Sequence, residues 1–293
     1  MPDTQPWTVL RLLNWTKQYL SRAGVESPRL TAEVLLAHSL DCSRIELYTR
    51  HGRVPSEPKL ATFRQSVKRA AEHEPAAYIV GFKEFYSLRF RVTPDVLVPR
   101  PETELLVAEA VDWLSASEGG TVWDVCTGCG CVAAAIAANG LVGSVLATDS
   151  SEAAVAIARE NIQALGLADQ VVCAHADLLA MPGELDPAVA DSFDRVGLIA
   201  ANPPYVADGD PVAPSVAYEP RDALYAGADG LDVIRRLIDQ APGRLRPGGA
   251  LALEFGFRHA DAVRDLLTAG GFAEPKIIRD GQAIERAALA TLA

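Results

Sequence analysis

The residues best suited to chemistry are Asn202-Pro203-Pro204-Tyr205, directly after the apolar run Leu198-Ile199-Ala200-Ala201. That run reads as the end of a short buried strand. Two consecutive prolines remove two backbone donors and fix two φ angles, so a central strand cannot continue through them. The Asn202 side-chain carbonyl therefore stands at a strand end. The proline carbonyls face outward with no competing local N–H. Rigid acceptors beside the flat ring of Tyr205 suit a planar NH₂ group, which donates two hydrogens. A purely structural strand-ending turn would use the same residue types.

Three other stretches carry ligand chemistry. In "DVCTGCGC", Asp124 to Cys131, Gly128 and Gly130 permit a tight turn and a close backbone approach to a ligand. Asp124 can either accept from a ligand amine or orient the loop. The spacing is neither the dinucleotide fingerprint nor a phosphate loop, which points to a nucleotide-like ligand without a pyrophosphate. Asp149 follows Asp124 by 25 residues and ends a second apolar run. It suits the two hydroxyls of a ribose, or alternatively a helix N-cap, since "DSSEAAVA" is a capping sequence. Asp177 and Leu178 follow a third run, where they can border a base or form an ordinary loop. Cys126, Cys129 and Cys131 form C-x-x-C-x-C, a metal pattern only if a fourth ligand such as His175 joins; no metal is expected.

The elements that must position these residues are read from periodicity. Strand-like "TVWDVC", "SVLATD", "QVVCAHAD", "RVGLIAA" and "ALALEFG" alternate with helical "CVAAAIAA", "EAAVAIARENIQAL" and "GLDVIRRLID". This predicts an α/β fold with a mostly parallel sheet and helices on both faces, whose ligands sit beyond the carboxyl ends of the strands. The N-terminal part reads as helical. Leu60, Phe63 and Val67 mark one buried face, and Leu30, Val34 and Ala37 another. Alternation through Leu88, Phe90 and Val92 predicts a strand or hairpin. The expected division is a helical substrate-docking domain over 1–76, a β-hairpin linker over 77–98 and a catalytic α/β domain over 99–293.

The 293 residues are 49% hydrophobic, with a net charge of −11. Residues 1–80 hold 11 Lys/Arg and 8 Asp/Glu, whereas residues 81–293 hold 16 and 30. So acidic a catalytic part lacks the basic footprint for wrapping nucleic acid, and a nucleic-acid partner is not expected. The asymmetry can orient a protein partner, or reflect ordinary solvated faces. No apolar run spans a membrane. Five cysteines, three of them bunched, suit a reducing cytoplasm better than a disulfide framework.

In this order, these signals resemble the class I S-adenosylmethionine-dependent methyltransferases, whose sheet is Rossmann-like. Asn-Pro-Pro-Tyr is similar to the motif of enzymes that methylate an exocyclic or amide NH₂. "VTPDVLVPRPETELLV", "AAYIVGFKEFYSLRFRV", "YEPRDALYAGADGLDVIRRLI" and "PGGALALEFG" resemble the HemK/PrmC protein-glutamine methyltransferases. The resemblance runs from about Arg29 to the C-terminus. It implies transfer of methyl from S-adenosylmethionine to the side-chain nitrogen (N5) of the glutamine in the Gly-Gly-Gln motif of peptide-chain release factors. It further implies a cofactor loop of Cys126, Thr127, Gly128, Cys129 and Gly130, with Asp149 at the ribose and Asp177 and Leu178 at the adenine. Asn202 would lie between cofactor and substrate, and Asn202, Pro203, Pro204 and Tyr205 would hold the glutamine. Asn202 and the Pro203 carbonyl would accept its two N–H groups, with Tyr205 stacked on the amide. Cys126 replaces the family's usual glycine and resembles a sibling branch that methylates a large-subunit ribosomal protein. That substrate is the second reading, and adenine-N6 of DNA the third. A non-glycine at Cys126 would be strained if φ there is positive. Arg100, Glu102 and Glu254 are open between ligand contact and bracing.

Overall fold

The computed structural model describes residues 6–117 and 119–293. The chain divides into two compact units, one of residues 1–82 with 212–218 and one of 83–211 with 219–293.

The first unit is helical: α1 (Val9–Arg22), α2 (Pro28–Leu40), α3 (Arg44–Thr49), α4 (Glu57–Ala71) and α5 (Ala76–Val80). Leu60, Phe63 and Val67 of α4 are buried as their spacing predicts. For α2 the predicted face holds only at Ala37, which is buried. Leu30 is exposed and Val34 half-buried, whereas Ala32, Leu35, Leu36 and Ser39 are buried. The reason is position: α2 packs against α1, α3, α4 and α5 at once, so it has no single apolar stripe. Pro75 and Gly81 (φ 81°) bound α5, so residues 77–80 are helical and not part of the hairpin. The segment 212–218 returns to this unit, where the Tyr218 hydroxyl donates to the Glu72 carbonyl at 2.7 Å.

A hairpin of β1 (Phe82–Phe85) and β2 (Leu88–Arg91) follows. Its turn residues Tyr86 and Ser87 both have positive φ, 49° and 63°, which matches the twist of a tight hairpin. Glu104 accepts from the Tyr86 N–H at 2.9 Å, giving this turn a partner that glycine would not need.

The second unit continues with α6 (Thr103–Ala116), β3 (Gly120–Val125), α7 (Cys131–Asn139), β4 (Val142–Asp149), α8 (Glu152–Ala164) and β5 (Val171–His175). Then come α9 (Pro187–Ser192), β6 (Val196–Ala201), α10 (Asp232–Gln240), β7 (Leu245–Glu254), α11 (Ala260–Ala269), β8 (Lys276–Arg279) and β9 (Glu285–Thr291). Among the described residues the sheet has seven strands, in the order β5-β4-β3-β6-β7-β9-β8. β5, β4, β3, β6 and β7 run parallel; β9 is antiparallel to β7, and the edge strand β8 is antiparallel to β9. Every residue of β6 is buried, as expected of a central parallel strand covered on both faces. Trp123, Ile199 and Leu251 pack with Ile234 and Leu237 of α10 and Val263 and Leu267 of α11. Their sequence neighbours point to the opposite face, where α6 and α7 lie.

Candidate active site

β3 and β6 are adjacent parallel strands, with Val125 opposite Ala201. The two turns that follow them, beginning at Cys126 and Asn202, therefore leave the same sheet edge side by side. β4 continues the sheet outward on one side of β3, while β6 and β7 continue it on the other. This reversal of strand order is where open α/β sheets form ligand crevices.

The loop after β3 is held from beneath. Asp124 is 1% exposed and its Oδ2 accepts from the Thr127 hydroxyl (2.5 Å) and the Ala133 N–H (3.0 Å). Burial pushes its carboxyl up to about 7 against those two hydrogen bonds. Of the two uses open to Asp124 from sequence, the geometry selects loop orientation. The Thr127 N–H donates to the Thr148 carbonyl at 2.9 Å, tying the loop to β4. Cys126 has φ 59°, so this non-glycine residue does sit in the left-handed region. Gly130 has φ 82°, and a Cβ there would stand 3.2 Å from Ala158 Cβ on α8, so glycine lets α7 start against α8. At Gly128 an added Cβ would meet nothing within 4 Å.

Gly128 opens onto a cavity of about 390 Å³, within the range of small-ligand sites. Cys126, Thr127, Gly128, Cys129, Asp149, Asp177, Leu178, Asn202 and Pro204 line it, whereas Gly130, Pro203 and Tyr205 do not. Asp149 accepts from the Gly128 N–H through Oδ2 and from the Ser151 N–H through Oδ1, both at 2.9 Å. The N-cap of α8 is Ser151, which accepts from the Ala154 N–H. Burial raises the Asp149 carboxyl, opposed by the Ser151 and Gly128 hydrogen bonds. Asp177 pairs with Arg236 of α10 at 2.6 Å, and Leu178 is buried with φ 51°. Arg100, also on the cavity wall, binds the buried Glu219 at 2.6 Å. Thus the two cavity arginines each face a carboxylate, leaving a site richer in acceptors than in free cationic charge.

Asn202 donates from Nδ2 to the Thr103 hydroxyl oxygen at 3.1 Å; among the described residues its Oδ1 has no partner. The Tyr205 ring packs on the main core and its hydroxyl donates to Glu254 Oε1 at 3.2 Å. Burial first, then the Glu254 charge, pushes the Tyr205 hydroxyl above its ordinary range. Thr103 and Glu254 are both 2% exposed. Sequence reasoning gave no role to Thr103, because an isolated threonine at a helix start carries no signal of its own.

The cysteines do not form a metal cage. Among the described residues no three His, Cys, Asp or Glu side chains are arranged to hold a metal ion. Cys131 shares a hydrogen bond with Cys129, which with burial raises its thiol well above the ordinary value. His175 instead faces the Ser150 carbonyl at 3.0 Å.

Residues 11–81 match the family described as PrmC N-terminal domain, and residues 122–212 match a methyltransferase domain. A release factor glutamine methyltransferase of Rhodopirellula baltica is 43% identical over 289 residues, 96% of this chain and 95% of that protein. The chain belongs to the release factor glutamine methyltransferase family. Another member, from Geobacter sulfurreducens, is 37% identical over 283 residues, again covering 96% of this chain and 95% of that protein. The fold is that of the class I S-adenosylmethionine-dependent methyltransferases. A Thermus thermophilus 16S rRNA N2 G1207 methyltransferase (RsmC), solved with AdoMet and guanosine, shares this fold. Its TM-score is 0.51 at 18% identity, covering 72% of this chain and 50% of that one. The family expected from the motifs is therefore the family found. Among the described residues no helix is long and apolar enough to cross a membrane.

Proposed function

We propose that this protein transfers a methyl group from S-adenosylmethionine to the side-chain nitrogen (N5) of the glutamine in the Gly-Gly-Gln motif of peptide-chain release factors. The observation that carries the chemistry is the Asn202 amide, anchored through Nδ2 with Oδ1 unpartnered, next to the loop that follows β3. The substrate reading draws on the relatives named for it.

The cavity residues fit the proposed cofactor. The Asp149 carboxylate is held by backbone N–H groups through both oxygens and lines the cavity, where it would accept from a ribose hydroxyl. The open space at Gly128 is a cradle for a ligand close to the backbone of residues 126–130. Asp177 and Leu178 border the same cavity and would meet the adenine. Both arginines are neutralised, which suits a ligand without phosphate. When bound, S-adenosylmethionine supplies an electrophilic methyl on its sulfonium.

The protein's task is to make an amide nitrogen attack. Its lone pair is delocalised into the carbonyl, so it is a poor nucleophile. Asn202 Oδ1 and the Pro203 carbonyl accept its two N–H bonds and fix its direction. Positive charge develops on the nitrogen as the new bond forms, so both acceptors bind the transition state more strongly than the ground state. No base is needed before attack: the methyl–sulfur bond would break as the methyl–nitrogen bond forms, leaving a neutral thioether, and the alkylated nitrogen, its N–H now acidic, would release one proton to water.

The test uses S-adenosylmethionine with a labelled methyl. The acceptors are a release factor, its variant with the Gly-Gly-Gln glutamine changed to alanine, and the large-subunit ribosomal protein. Label on the unmodified factor alone is expected; label only on the ribosomal protein would overturn the substrate. Asn202→Ala is expected to lower kcat by about 10²–10³-fold with cofactor affinity little changed. A fully active variant would refute the role given to Asn202.

A further inference from the structure

Glu254 is a carboxylate that the reaction above does not use. It ends β7, next to β6 in the sheet, and is 2% exposed. Oε1 accepts from the Tyr205 hydroxyl, while Oε2 is buried with no hydrogen-bond partner. The Thr103 hydroxyl stands close enough to this carboxylate to favour its charged form, without a hydrogen bond formed between them as the side chains stand. Thr103 is also the acceptor for Asn202 Nδ2. A buried acceptor left half-satisfied costs stability, which is a reason to look for a task that retains it.

An asparagine amide can present either its carbonyl or its NH₂ to a ligand, and only its partners decide which. Thr103 can serve as acceptor to Nδ2 with its own proton directed elsewhere. If that proton turned to Asn202, the amide would be held by its carbonyl and would present donors to a substrate that is itself a donor. We propose that Glu254 is a positioning residue: by drawing the Thr103 hydroxyl proton toward itself, it holds the Asn202 amide with Oδ1 facing the substrate. Through the Tyr205 hydroxyl the same carboxylate anchors the far end of the Asn-Pro-Pro-Tyr turn. Kinetically this rests on the function proposed above; structurally it does not.

The charge state of Glu254 then matters, because a neutral carboxyl can donate to Thr103 and release the threonine proton toward Asn202. Burial raises this carboxyl to about 7, the Thr103 and Tyr205 hydroxyls lower it, Glu102 raises it and Arg286 lowers it. Those groups face it from the start of α6, the turn after β6, and β9; the Cys131 thiol of α7 also feels its charge. Arg286 is itself paired with Asp280 at 2.9 Å, which weakens its pull on Glu254.

The experiment has a kinetic arm and a spectroscopic one. At saturating cofactor, wild-type kcat is expected to fall as pH drops through about 7, the value burial gives Glu254. Glu254→Gln retains an acceptor oxygen but cannot ionise, so it should keep most of the plateau rate and lose this low-pH limb. Glu254→Leu and Thr103→Val should each lower kcat by about 10²-fold with the KM for cofactor little changed, while Thr103→Ser recovers activity. The chain has four asparagines, so selective ¹⁵N labelling isolates the Asn202 side-chain NH₂, assigned with Asn202→Ala. That signal should titrate with the same midpoint in wild type and not in Glu254→Gln, whether or not any acceptor is methylated. A wild-type protein that labels no release factor would refute the function, and the NMR titration would still decide the inference. An Asn202 signal that ignores pH, or titrates unchanged in Glu254→Gln, would overturn it. So would a folded Glu254→Leu variant with wild-type kcat.

Discussion

Gly230 offers a sharp test of how rigidly the Asn-Pro-Pro-Tyr turn must be held. It precedes α10 with φ +77°, and a Cβ built there would fall inside 3.0 Å of the Tyr205 carbonyl oxygen, and 3.1 Å from the Ala207 nitrogen. The Tyr205–Asp208 segment is already fixed to residues 224–227, through Val206 N–H to Leu224, Ala226 N–H to Val206, and Asp208 N–H to Gly227 carbonyls. An ordinary carbon–oxygen approach is about 3.3 Å, so Gly230→Ala must drive the two backbones apart by roughly 1 Å. A displacement of that size at a positioned reacting group costs about 10²-fold in rate. Gly209→Ala supplies the control, since φ there is +88° but nothing lies within 4 Å of the added Cβ. Both variants carry the left-handed penalty of about 1 kcal/mol, partly offset by reduced freedom of the unfolded chain. Gly230→Ala adds overpacking of about 1–3 kcal/mol. The assay pairs methyl transfer with calorimetric cofactor binding and thermal melting. Gly209→Ala should lose about 2 °C and keep its rate, while Gly230→Ala should lose about 5 °C or more and about 10²-fold in kcat. A Gly230→Ala enzyme with wild-type kcat would show that the turn tolerates displacement and refute the reasoning.

Three other outcomes are expected. Asp124 rises from 3.8 to about 7 and Glu254 from 4.5 to about 7, so the folded protein holds protons that the unfolded chain releases. Stability should therefore decline as pH rises from about 4 to 7 and level off above, with a limiting slope of about 1.4 kcal/mol per pH unit for each group. Urea unfolding of Asp124→Asn across that range should show a shallower decline, and an unchanged slope would exclude Asp124 as a source. Cys126, at φ 59°, should tolerate glycine within about 1 kcal/mol, whereas the β-branched Cys126→Val should destabilise by about 2 kcal/mol and weaken cofactor binding, as melting and calorimetry would show. Arg100→Ala leaves Glu219, whose side chain is 1% exposed, with the Val98 N–H at 3.1 Å as its remaining partner. Unfolding stability should fall by about 2–3 kcal/mol, toward the low end for a broken buried pair because Arg100 is partly exposed. A loss below about 0.5 kcal/mol would mean the pair behaves as a surface one.

The local chemistry of the chain was sufficient for several conclusions. Pro203-Pro204 cannot continue a strand, so β6 had to end at Ala201, as it does. The alternation of apolar runs with helical segments required parallel strands joined by crossover helices, and the motifs placed the chain in its family. What sequence could not show were arrangements created by elements distant along the chain. α2 carries no readable stripe because neighbours cover it on several sides, so the face chosen from spacing alone was right only at Ala37. Asp124 stands one residue before the end of β3 and Asp149 ends β4, yet one is buried under its loop and the other borders the cavity. The difference lies in which face each strand end turns to its neighbours. Thr103 and Asn202 are 99 residues apart, and Tyr205 and Glu254 are 49 apart. Only the pairing of β3 with β6 and of β6 with β7, together with α6 laid across them, brings these two hydrogen-bonded pairs side by side. Short-range rules of turn and periodicity act over a few residues. The direction in which an amide points is decided by whichever groups the packed sheet sets beside it.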